Sequence, residues 1–293
     1  MPLIQSISDT AHLTALYRAF ETERPDALFH DPYAHLLAGD RGMQVLHAMG
    51  EDRSRTKIHA VRPFLIDQYV QRLIEQEEVN VVLNLGAGLD TRPYRLLLPS
   101  TCKWIEADFP EVLAYKQNKL EGVKPMCTLE SIGLDLWDVP SRQQLMDYVS
   151  SEAKQVLTIT EGLLIYLSPE QVATLASEMH QQKPFCWWVT ELASPQILRA
   201  IQKHEGKQMA QAGIKQQFAP EEGSDFFHRY GWKTVEYRSM VDEGQRLRRG
   251  VLPNWLWKLL GYAIPHQYWE SYRKSASIVL MKRTGLTDVH STQ

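Results

Sequence analysis

Three features of this 293-residue sequence predict an α/β fold built on a doubly wound parallel sheet. Short β-branched apolar runs alternate with segments of helical periodicity. The first such run after residue 78 meets a glycine loop, Gly86-Ala87-Gly88. Acidic residues then stand at the ends of three later runs, where ligands bind in open α/β sheets.

The chain begins with helices. Ser8-Asp9 can cap a helix on which Leu13, Leu16, Tyr17 and Phe20 recur at helical spacing. Residues 26–50 read as loops and short helices, one starting at Asp31-Pro32. From Ile58 to Glu75, Val61, Leu65, Ile66, Tyr69, Val70 and Leu73 form one apolar stripe, and Pro63 belongs in the first turn of that helix or kinks it.

The pattern then switches to strands. Asn80–Leu85 is the run that meets the glycine loop. Lys103–Asp108 is a second strand, followed by Pro110 and a helix to about Leu120. Glu130–Leu134 is a weaker third strand that enters Asp135-Leu136. Gln155–Thr160 is a fourth, ending at Glu161-Gly162. Ser168-Pro169-Glu170-Gln171 has the spacing of a capping box and opens a helix to about His180. Phe185–Thr190 is a fifth strand, residues 195–230 read as helical and polar, and Trp232–Met240 and Ser275–Lys282 are closing strands.

Composition narrows the function classes. Thirty-two basic residues face 35 acidic ones, a net charge of −3, which lacks the basic footprint of a general nucleic-acid binder. The three cysteines, Cys102, Cys127 and Cys186, form no C-x-x-C pair, so neither a disulfide framework nor a zinc–thiolate site is expected; reduced thiols of a cytoplasmic chain are the simpler reading. No apolar run approaches the ~18 residues that span a bilayer. Met1–Ser6 carries no basic region before an apolar stretch, so no signal peptide is expected. No metal is expected: the histidines form no ligand pair, and His30, Asp31 and His35 read as loop.

The glycine loop has two readings, a plain tight strand–helix turn or a place where backbone approaches a ligand. Thr91 breaks the dinucleotide fingerprint G-x-G-x-x-G, and no phosphate loop is present. The acids sharpen the choice. Asp108 lies 20 positions after Gly88 and can accept two hydrogen bonds from a ribose diol. At Asp135-Leu136, the carboxylate can accept from an adenine amino group while the Leu136 amide donates to a ring nitrogen. Glu161 sits among apolar residues, where an unpaired carboxylate is unfavourable, so a cationic partner is expected there. Hydroxyls plus positive charge suit S-adenosylmethionine (SAM) better than a pyrophosphate dinucleotide.

Leu85-Gly86-Ala87-Gly88-Leu89-Asp90-Thr91-Arg92-Pro93-Tyr94-Arg95-Leu96 closely resembles the glycine motif of the leucine carboxyl methyltransferase family, which includes the tetracenomycin-type polyketide O-methyltransferases. Trp104–Pro110, Asp135–Asp138 and Glu161–Leu167 resemble its next motifs, and Thr10-Ala11 through Asp31-Pro32-Tyr33-Ala34 its N-terminal extension. The resemblance covers residues 8–190 well and the rest loosely. It implies a doubly wound, seven-stranded Rossmann-like methyltransferase sheet as one domain over 1–293. Residues 1–78 would form a helical N-terminal extension and 79–293 the sheet core, with a C-terminal lid insertion at about 195–230 and 245–272.

It also implies a SAM-dependent O-methyltransferase acting on a carboxylate or hydroxyl of a small molecule. By the resemblance, Gly86 and Gly88 border the methionyl part of SAM, Asp108 binds the ribose, Asp135 and Leu136 the adenine, Glu161 the methionyl amino end and Arg62 the SAM carboxylate. The family usually continues that arginine with Thr, where this chain has Pro63. Tyr166 is the candidate catalytic residue, able to orient the acceptor with its hydroxyl, or else a core tyrosine. A protein C-terminal carboxyl methyltransferase and a SAM-binding relative without transfer activity are the competing readings. The stretch 246–273 combines Arg246, Arg248 and Arg249 with Trp255, Trp257, Tyr262, Tyr268 and Trp269. It reads as a cover for the acceptor cleft rather than a nucleic-acid or membrane surface, so neither partner is expected.

Overall fold

The computed structural model describes residues 8–50, 53, 56–211, 213–250 and 252–285. Residues 1–6, read above for a signal peptide, lie outside the described residues.

Seven strands form one sheet in the order β3-β2-β1-β4-β5-β7-β6. Strands β1 (Val81–Leu85), β2 (Lys103–Asp108), β3 (Thr128–Gly133), β4 (Val156–Thr160) and β5 (Phe185–Ala193) pair in parallel. Strand order reverses between β1 and β4, the switch point where α/β sheets open a crevice. The closing pair departs from the all-parallel expectation. β7 (Ala276–Arg283) runs antiparallel to both β5 and β6 (Trp232–Ser239). It returns from β6 and inserts beside β5, a direction that needs no further crossover helix.

Period-two alternation sorts the side chains of the fully buried β1. Val81, Leu83 and Leu85 join one core, and Val82 joins the core on the other face. The first face is covered by α6 (Val139–Glu152) and α7 (Pro169–Gln181), through Leu145, Val149, Val172 and Met179. The second is covered by α3 (Val61–Gln76), whose predicted stripe from Val61 to Leu73 is buried there. A 3₁₀ turn, Thr56–Ala60, precedes α3, so Pro63 falls in its first turn and kinks nothing. Ser168 and Gln171 form the expected capping box on α7. The pattern reading does not assign α6, because only Leu145, Met146 and Val149 mark an apolar face. Asp138 caps it by accepting from the Ser141 amide.

A third core lies across the carboxyl ends of the strands. There α1 (Ser8–Thr22) packs on α2 (Ala34–Ala48) through Leu13, Leu16, Leu37 and Val45, together with Leu89 of the glycine loop and Val112 of α5 (Pro110–Lys119). Where short helices are predicted, α2 carries a break at Gly39, whose φ of 52° suits glycine. The late segment holds α8 (Pro195–Gln211), α9 (Met240–Arg246), α10 (Asn254–Ala263) and α11 (His266–Arg273). Among the described residues no helix is long and apolar enough to cross a membrane.

Candidate active site

One cavity opens at the switch point, and all eight residues nominated from the sequence line it: Arg62, Gly86, Gly88, Asp108, Asp135, Leu136, Glu161 and Tyr166. They come from the start of α3, the loop after β1, the end of β2, the loop after β3 and the segment after β4.

The glycine loop is shaped by its surroundings. Gly86 and Gly88 have φ of 68° and 52°. A Cβ would meet Leu163 at 3.2 Å from Gly86 and Ala11 of α1 at 3.3 Å from Gly88, so only glycine fits both the turn and the close approach. Asp108 ties this loop to β2 by accepting from the Gly88 amide at 2.6 Å and the Phe109 amide at 2.7 Å. Burial pushes its carboxyl up, against those two amides. A carboxylate has about four acceptor sites, so capacity remains for ribose hydroxyls.

The helix after the loop is a single turn, α4 (Arg92–Arg95), and its Arg92 amide donates to Asp90 at 3.0 Å. The N-terminal amides of a long helix are therefore not what faces the cavity. Asp135 accepts from the Trp137 amide at 2.9 Å. The Leu136 carbonyl accepts from buried Arg142 at 2.6 Å, which fixes the orientation of that peptide.

Glu161 departs most from expectation. Its cationic partners come from the chain itself: Arg62 donates from Nε to Oε1 at 2.8 Å, and Arg92 Nη2 stands 2.8 Å from Oε2. Burial would raise the Glu161 carboxyl, but Arg92 and Arg62 outweigh it and hold the group below the usual range. Arg92 is 2% exposed and meets three carboxylates from three elements: Asp67 of α3 at 2.7 Å, Asp90 at 2.8 Å and Glu161. Asp90 is likewise buried, yet Arg92 and then Lys116, Arg18 and Arg95 hold it far below the usual range. Arg95 grips Asp67 through both Nη atoms, at 2.6 and 2.9 Å. Arg62 also donates to Glu191 of β5 at 2.6 Å. Three arginines (62, 92, 95) thus face four carboxylates (67, 90, 161, 191), an excess of one negative charge. SAM carries a sulfonium and an α-amino-carboxylate head, one net positive charge, so the residues present fit it.

Sequence reasoning missed this network. It gave Asp67, Asp90, Arg92 and Glu191 no role, although Asp90-Thr91-Arg92 stood inside the motif that carried the resemblance. Asp31, read as loop, is buried and accepts from Arg18 at 2.8 Å and Thr91 at 2.6 Å, which anchors α1 to the glycine loop. Ser8, Thr10, Ala11, Thr14 and Arg18 of α1 consequently line the cavity, while no described residue of 195–230 or 245–272 does. Residues of that part of the chain nevertheless touch the cavity wall from behind: Gln217 Nε2 donates to the Tyr166 carbonyl at 3.3 Å. Gln217 and Phe218 donate their amides to the Ile165 carbonyl at 2.7 and 3.2 Å, beside Tyr166.

A model of the leucine carboxyl methyltransferase family matches residues 11–180, more than half of the chain. The protein belongs to the leucine carboxyl methyltransferase family. A candidate SAM-dependent methyltransferase of Saccharopolyspora erythraea is 32% identical over 188 residues, covering 61% of this chain and 64% of that protein. One of Mycolicibacterium paratuberculosis is 34% identical over 177 residues, covering 55% and 58%. The chain spans about three fifths of the length of these curated relatives. The crystal structure of a DUF574 family protein from Streptomyces avermitilis superposes with a TM-score of 0.58 at 10% identity, over 94% of this chain and 97% of that one. That likeness concerns the fold. The family's matched region ends within α7 and contains the cavity lining apart from Ser8 and Thr10.

Proposed function

We propose that this member of the leucine carboxyl methyltransferase family is a SAM-dependent O-methyltransferase acting on a carboxylate or hydroxyl oxygen of a small molecule such as a polyketide. The observation that carries the reading is the convergence of the eight nominated residues, from five separate segments, on one cavity at the switch point. In this reading Asp108 receives the ribose, Asp135 and the Leu136 amide the adenine, Gly86 and Gly88 the methionyl chain, and Arg62 with Glu161 the amino-acid head.

When bound, SAM supplies an activated methyl group, its sulfonium leaving as a neutral thioether under in-line attack by the acceptor oxygen. The chain's task is then alignment and exclusion of water. α1 covers the glycine loop, and Leu163, Tyr166 and Leu167 wall the cavity beyond Glu161. No histidine, lysine or cysteine is among the described lining residues. An acceptor already ionised at neutral pH needs no base, which favours a carboxylate, with a reference pKa of about 4, over a phenol at about 10. Tyr166 orients the acceptor oxygen.

Calorimetry with SAM tests the reading. Wild type binds, and Asp108→Ala weakens binding at least about tenfold, the worth of a hydrogen bond to a charged group. Equal binding by both proteins overturns the ribose assignment, and no binding by wild type at millimolar concentration overturns the whole. For the acceptor, labelled methyl transfer to metabolite pools is expected to run at a flat rate between about pH 6 and 9 for a carboxylate and to rise steeply for a phenol. Methyl ester found only on a protein C-terminus would favour the protein-methylating reading, and binding without any transfer the non-enzymatic one.

A further inference from the structure

Glu191 lies outside the residues that the family resemblance nominates, yet it grips the arginine at their centre. Thr160 of β4 and Thr190 of β5 are register partners, so Glu161 and Glu191, the residues that follow each, emerge side by side at the carboxyl end of the sheet. Two adjacent carboxylates repel unless a cation stands between them. Arg62 fills that place, with Nε on Glu161 at 2.8 Å and Nη1 on Glu191 at 2.6 Å. It does so from the first turn of α3, where the helix dipole disfavours a cation, so the two acids rather than the helix account for its position.

The geometry leaves one part of the guanidinium unused. Among the described residues Arg62 Nη2 has no hydrogen-bond partner, and Arg62 lines the cavity at about one-fifth exposure. A planar guanidinium held at two of its three nitrogens has no rotational freedom about its own plane. If Glu161 alone held Nε, the plane could swing about that single bond. Gripping Nη1 as well fixes the direction in which the Nη2 hydrogens point. Arg92 fixes the far oxygen of Glu161 in the same way.

We infer that Glu191 is a positioning residue that holds Arg62 with Nη2 turned to the cavity, so that the site selects ligands carrying an α-amino-carboxylate head. The inference rests on the proposed binding of SAM. It adds the residue that makes the carboxylate subsite rigid, and it predicts that the loss on removing that residue depends on which part of the ligand is present.

The test compares two probes by calorimetry on the full chain. S-adenosylhomocysteine carries the amino-acid head, and 5′-methylthioadenosine carries the same nucleoside and sulfur without it. Glu191→Gln keeps the shape and removes the charge. It weakens S-adenosylhomocysteine binding about tenfold, the scale of one charge-assisted hydrogen bond. It leaves 5′-methylthioadenosine binding within about twofold of wild type, which also reports that the variant is folded. Glu191→Asp, which retains the charge on a shorter arm, falls between the two for S-adenosylhomocysteine. An equal loss for both probes assigns Glu191 a structural role and overturns the inference. Unchanged or tighter S-adenosylhomocysteine binding overturns it too, because the carboxylate would then be repelling the ligand rather than aiming Arg62. Failure of the underlying reading looks different: wild type itself binds neither probe.

Discussion

The cavity end of the sheet and the late helical segment solve the problem of exposed chemistry in opposite ways. Around the cavity, charges are buried and paired. The side chains of Arg92, Asp67, Asp90 and Arg95 are nearly inaccessible, and each charge is paired, Asp67 of α3 with two arginines from beyond β1 and Asp90 with its near neighbour Arg92. In α10 and α11, aromatic side chains stand in solvent. Trp255, Leu259 and Tyr262 follow one another at i, i+4 and i+7 on α10, at 68%, 55% and 92% exposure. Their neighbour Trp257 instead packs against Trp269 of α11, with ring centroids 4.4 Å apart and planes tilted by 48°. The root of this hairpin is itself pinned. Arg249, 1% exposed, donates to both oxygens of Glu21 at the end of α1, with a shortest contact of 2.7 Å. The comparison teaches that burial here follows the pairing of charges rather than apolar content alone.

The sharpest way to break that comparison is to remove Arg92. Arg92→Met leaves Asp67, Asp90 and Glu161 short of a cation in a buried site. Breaking a buried network from one side destabilises by roughly 3–5 kcal/mol. Urea unfolding followed by circular dichroism checks this, and a loss below about 1 kcal/mol would show that the network adds little to stability.

A smaller effect is expected from pH. His59 stacks on Tyr17, with rings 4.2 Å apart, and sits near Arg62. Burial, then the neighbouring guanidinium, lowers its pKa from 6.5 to about 4. The folded protein therefore holds His59 neutral while the unfolded chain takes up a proton below pH 6.5. Stability from this group is complete above that pH and is lost as pH falls toward 4. Between pH 7 and pH 5 the expected loss is about 2 kcal/mol. His59→Phe, which keeps the stacking ring, flattens that limb of the unfolding profile. Asp90 and Glu161, held low, lose their contribution only under more acidic conditions, so the two windows separate.

The smallest effect belongs to the other region. Tyr262→Ser changes stability by no more than about 0.5 kcal/mol, the usual range for an exposed side chain without a special contact. A thermal melt within a degree or two of wild type is expected. A marked drop would show that the exposed face of α10 is packed in solution.

Much of the fold was legible in the sequence. Short, nearly continuous apolar runs marked β1 and β4 most plainly, because a strand buried on both faces must be apolar on both, while the half-exposed β3 left a weaker trace. The capping box announced α7 at Ser168, since helix starts are satisfied by side chains close in sequence. The antiparallel entry of β7 and the whole of α6 were not legible: strand direction leaves no mark in composition, and α6 buries only a narrow apolar face. Within the site, the residues that line the cavity could be read, because strand ends and glycine loops are local patterns.

The partners of those residues belonged to the tertiary structure. Arg62 meets Glu161 99 positions away and Glu191 129 positions away, and Arg249 meets Glu21 across 228. No periodicity encodes such pairings. The sequence by itself determined the strands, the glycine loop and the acids that line the cavity, through short-range sterics and runs of apolar residues. Only the packed sheet decided which charge neutralises which, because a buried ion pair depends on proximity in space and on exclusion of water, and both arise when α1, α3 and the strand ends close on one another.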